Sequence, residues 1–102
     1  MEKKMNSIND KSSDRLTLRG LVIACLVTKG VNQTKQISEE TGFSRLQVNR
    51  SIASVSKFGL IIKWEGTNRS GQYVIRSWGY FSKETVEQDY TQILHRTLSI
   101  EQ

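Results

Sequence analysis

Between residues 45 and 50 the chain sets out Arg45, Leu46, Gln47, Asn49 and Arg50, side chains with the chemistry to read base-pair edges. Arginine donates two parallel hydrogen bonds to guanine, glutamine or asparagine pairs bidentately with adenine, and an apolar side chain meets the thymine methyl. Each well-aligned bidentate pair supplies about 1–3 kcal/mol of discrimination. Thr34, Lys35 and Ser44 lie just upstream and Arg69 lies downstream. Hydroxyl and cationic groups of this kind suit phosphate oxygens, which fix register without reading sequence.

Other chemistries fail on residue type. His95 is the only histidine and Cys25 the only cysteine, so the two alone cannot build a zinc site or an intrachain disulfide. Cys25 sits in the apolar run Leu21 to Val27 and reads as a small buried hydrophobe. Glu39 and Glu40 are adjacent in sequence, but neighbouring helix positions diverge by about 100°, so they read as an exposed face and not an acid–base pair. No glycine-rich nucleophile turn accompanies His95, and the segment GTNRSG lacks the lysine and the following helix of a phosphate loop. Trp64 and Trp78 read as packing at the base of a hairpin. The expectation is a non-enzymatic protein with no cofactor, metal or small-molecule ligand.

Charge narrows the partner. The net charge is +5, and residues 15–81 hold ten basic against three acidic side chains. A phosphate-binding surface requires such a concentration; joined to the stretch Ile37 to Ile61, which carries the base-reading side chains, it makes double-stranded DNA the expected partner. No apolar run approaches the ~18 residues of a membrane span. The first residues lack the apolar centre of a secretory signal, and a cytoplasmic location is expected.

Those side chains need elements to hold them. Residues 1–14 are polar and aperiodic and read as a disordered arm. Leu18, Leu21, Val22, Cys25 and Leu26 share one helical face and predict a first helix over residues 15–29. Gly20 inside it reads as a mild weakness, costing about 1 kcal/mol relative to alanine, and Gly30 as its terminator. Thr34, with Asn32 as the competitor, is the expected N-cap of a short helix over Lys35 to Thr41, pinned by Ile37 and ended by Gly42. Phe43 is expected to fill the gap before the next helix. Ser44 caps a third helix over Arg45 to Phe58, whose Val48, Ile52 and Val55 face inward, with Gly59 as its C′ residue. Strands follow over Leu60 to Glu65 and Gln72 to Trp78, joined by the turn Gly66 to Gly71. Ser82 caps a last helix over Lys83 to Ser99 with an apolar stripe of Val86, Tyr90, Ile93, Leu94 and Leu98.

The order is helix, short helix, glycine turn, helix, hairpin. It predicts an α+β, mainly α fold: a winged helix-turn-helix of three helices, a two-stranded wing and a C-terminal helix. Residues 15–81 form the binding domain. Residues 82–102 either pack on the first helix or, over 83–99, make a homodimer contact. The stretch from Ile37 to Ile75 resembles the DNA-binding domain of IclR-type and MarR-type bacterial regulators, and also the N-terminal winged domain of the replication O proteins of lambdoid phages. That resemblance implies duplex binding through the third helix. The expected function is a bacterial, phage or plasmid transcription regulator, with helix 45–58 in the major groove and turn 66–71 near the minor groove. A replication or recombination accessory protein and a protein–protein interaction module are the alternatives.

Overall fold

The structure is a computed structural model that describes the backbone of residues 2–101 and the side chains of residues 15–97. Its elements run α1 (Glu2–Thr28), α2 (Thr34–Thr41), α3 (Arg45–Ser56), β1 (Ile61–Glu65), β2 (Gln72–Ser77), α4 (Lys83–Gln88) and α5 (Tyr90–Glu101). This is the expected mainly helical fold with a two-stranded wing.

The core is the α1 stripe. Leu21 to Val27 is buried without interruption, and Ile37, Phe43, Val48, Val55, Leu60, Ile62, Tyr73 and Val86 close around it. Burying such a side chain stabilises by about 1.5–3 kcal/mol, so these residues fix their elements on one shared core. The Cys25 thiol lies against the Val86 carbonyl, 3.8 Å away. Burial pushes its pKa up to about 11, as befits a core residue and not a nucleophile.

Helix ends follow local chemistry. Gly59 adopts φ +83°, its N–H donates to the Ser56 carbonyl, and the Leu60 N–H donates to the Val55 carbonyl. These are the paired bonds of a Schellman motif, with buried Leu60 as its apolar partner. The same pair of bonds recurs at Gly30 and Val31. Gly42 ends α2 at φ +81°, which opens the tight turn into α3. Phe43 fills that turn, buried beneath the Arg19 guanidinium at 5.6 Å from its ring centre.

Several boundaries differ from expectation. α1 begins at Glu2, not Arg15; no glycine or proline precedes Gly20 to stop a helix. The side chains of residues 1–14, read as an arm, lie outside those described. The N-cap of α2 is Gln33, and Thr34 is already helical. α3 stops at Ser56, two residues early, where the Schellman turn begins. β1 starts one residue late and β2 ends one early. The single C-terminal helix is two, broken at Asp89.

α5 packs back along α1. Tyr90, Ile93 and Leu94 are partly buried against the core, and the Lys29 ammonium sits 4.0 Å from the centre of the Tyr90 ring. That apolar stripe is therefore covered by the same chain as far as residue 97.

Candidate nucleic-acid interface

α3 is the base on which the site is built. Ser44 has extended backbone, and its hydroxyl accepts from the Gln47 N–H at 3.1 Å. The Gln47 side chain returns the bond, its Oε1 accepting from the Ser44 N–H at 2.8 Å. This reciprocal capping box satisfies two of the helix's orphan donors. Val48, Ser51 and Val55 are buried on α1, which leaves the opposite face outward. Arg45, Leu46, Asn49 and Arg50 are all exposed, Leu46 to 58%.

Gln47 departs from its expected role. It is half-buried, and its acceptor oxygen is held in the cap, so it cannot present a free amide edge to adenine in this geometry. Changing Gln47 to alanine is expected to destabilise the fold by about 1 kcal/mol, as loss of a cap does. A thermal melt checks this: Gln47→Ala lowers the midpoint and Gln47→Glu, which keeps an acceptor oxygen, largely restores it.

The wing completes the site. β1 and β2 pair antiparallel with Trp64 opposite Tyr73 and Ile62 opposite Ile75. The two aromatic rings meet edge to face, 4.9 Å between centres. At the turn the Trp64 indole N–H donates to the Thr67 carbonyl at 3.1 Å, and the Ser70 N–H donates to the Thr67 hydroxyl at 2.9 Å. Arg76 pairs with Glu65 on the hairpin, which neutralises the acidic residue nearest the wing tip.

Wing, α2 and α3 enclose a cleft of about 370 Å³ lined by Gln33, Thr34, Lys35, Arg45, Asn49, Trp64, Asn68, Arg69 and Tyr73. It brings together five of the nine residues singled out from sequence: Thr34, Lys35, Arg45, Asn49 and Arg69. Three are cationic, each from a different element, and none of the nine lining residues is acidic. Leu46 and Arg50 lie on the exposed face of α3 outside the cleft, and Ser44 and Gln47 are held in the cap. Sequence reasoning did not assign Gln33, Asn68, Trp64 and Tyr73 to the site. Gln33 and Tyr73 enter through contacts between residues 38 and 39 positions apart, for which no local signal exists.

Among the described residues no group of His, Cys, Asp and Glu is placed to hold a metal ion. No helix among them is long and apolar enough to cross a membrane.

A crystal structure of a DUF2131 family protein from Shewanella amazonensis has a similar fold: TM-score 0.72 at 22% identity, covering 81% of this chain and 89% of that one. No curated protein matches the sequence. The family model described as winged helix-turn helix matches residues 12–97, from the first helix through most of α5, and the chain accordingly belongs to the winged helix-turn-helix family.

Proposed function

We propose that the protein is a sequence-specific, duplex-DNA-binding transcription regulator that acts without a cofactor. The observation that carries this reading is the cleft in which Lys35, Arg45 and Arg69 converge from three elements with no acidic residue among its lining. A cationic, acid-free lining of that kind suits one phosphodiester strand passing between helix and wing. The exposed α3 face then enters the major groove, where Arg45 and Arg50 suit guanine, Asn49 suits adenine and Leu46 suits a thymine methyl. Arg69 at the wing tip suits the adjoining minor groove. Residues 15–81 supply the contacts. Residues 82–102 act as a packing support, since Tyr90, Ile93 and Leu94 rest on the chain's own core, and a homodimer through 83–99 is not needed for binding. This role places the protein in the cytoplasm with its DNA.

Random-site selection on duplex DNA tests the reading. A defined motif should emerge, with affinity that falls linearly in logarithm as salt rises, about 0.9 per phosphate contact. No duplex binding at low salt would overturn it, and selected sites that map to an origin and not to promoters would move the role to replication.

A further inference from the structure

The wing is only a two-stranded hairpin, and an isolated hairpin is marginally stable in water. Its position over α3 therefore needs ties outside the sheet. Beside the burial of Ile62 and Tyr73 in the core, three hydrogen-bonded ties are present, and all run to the segment that leads into α2. The Tyr73 N–H donates to the Asn32 carbonyl at 2.8 Å. The Gln33 side-chain amide donates to the Gly71 carbonyl at 3.2 Å. The Thr34 and Tyr73 hydroxyls share a hydrogen bond at 3.2 Å. Tyr73 is buried and braces Trp64, whose indole in turn holds the tip at Thr67. The route from the first residue of α2 to the wing tip is thus continuous.

We propose that the Thr34–Tyr73 hydroxyl pair is a tie that sets the wing's angle over α3, so that Thr34 is a positioning residue for Arg69 and not itself a phosphate ligand. Part of this inference rests on the DNA-binding reading above, because the consequence of the angle is where Arg69 meets a duplex. The tie itself does not. Thr34 is half-buried and its hydroxyl is engaged with Tyr73, whereas Lys35 beside it is exposed and carries the charge that a phosphate needs. The other two ties engage a backbone carbonyl and survive substitution at residue 34.

Thr34→Val keeps the shape and removes the hydroxyl, Thr34→Ser keeps the hydroxyl, and Tyr73→Phe removes the other partner. Two readouts separate the tie from the function. In the free protein, tryptic cleavage after Arg69, followed by mass spectrometry, should run several-fold faster in Thr34→Val and Tyr73→Phe and at the parent rate in Thr34→Ser. On a selected duplex, Arg69→Ala should weaken the parent about tenfold yet change Thr34→Val little further, because residues acting as a unit are non-additive. Unchanged cleavage in Thr34→Val would overturn the tie. Additive losses for Thr34→Val and Arg69→Ala would overturn the positioning role and return Thr34 to the phosphate. If the parent bound no duplex, the DNA reading would fail while the cleavage rates still decided whether the hydroxyl pair holds the wing.

Discussion

Arg45→Ala is expected to weaken binding to a selected duplex by tenfold or more while leaving the melting temperature close to that of the parent. Arg45 is the first residue of α3, exposed, and lies in the cleft between helix and wing. Among the described residues no carboxylate pairs with it, so its removal leaves no buried charge unmatched. The lost interaction is with the ligand: about 1–3 kcal/mol if the guanidinium reads a base. Titrations across salt concentrations distinguish its two available tasks. A phosphate contact weakens binding to every sequence alike and reduces the salt slope by about 1; a base contact relaxes discrimination at one position of the site. Unchanged affinity and unchanged specificity would remove Arg45 from the interface, and with it the convergence of three cations on which the proposed function rests.

A large effect on stability is expected at Gly20. Helix propensity alone makes Gly20→Ala a gain of about 1 kcal/mol. The tertiary structure reverses the sign. Gly20 is buried where α1 crosses α3, and a Cβ there would run into the Val55 side chain and lie 2.9 Å from the Ser51 carbonyl oxygen. Val55 is fully buried, and the Ser51 oxygen is backbone, so neither yields cheaply. Overpacking of this kind costs typically about 1–3 kcal/mol, which outweighs the propensity gain. Gly20→Val adds two more methyl carbons and a residue of lower helix propensity, so its loss should be greater still. Urea denaturation measures both. A midpoint above the parent's for Gly20→Ala would show that the crossing has room to spare. Because α3 is held by that same crossing, the substitutions also predict a shifted recognition face and weaker duplex binding, even where the protein remains folded.

Gly20 and Gln47 mark the limit of what local pattern conveys. Local pattern assigns both to their elements, one inside the first helix and one near the start of the third. Their contacts depend on a neighbour. For Gln47 that neighbour is Ser44, three residues away, and the S-x-x-Q spacing of a capping box was present in the sequence. For Gly20 the neighbours are Ser51 and Val55, more than thirty residues away, and no periodicity within α1 reports a crossing partner.

The sequence by itself determined the order of elements, the buried stripe of α1, the cap at Ser44, the glycine stops at Gly30, Gly42 and Gly59, and the outward placement of Arg45, Leu46, Asn49 and Arg50. These are short-range matters: helical period, capping hydroxyls and backbone conformations that glycine alone adopts at little cost. The continuation of α1 to Glu2 and the break at Asp89 escaped it, since polar stretches without glycine or proline carry little boundary information. Only the tertiary structure decided that α5 folds back on α1, that Gly20 is a contact point, and that Thr34 bonds to Tyr73. The wing's register fixes Tyr73, α2's entry fixes Thr34, and their meeting depends on the packing of β2 on α1 and of α2 on α3, a long-range consequence that no window of neighbouring residues contains.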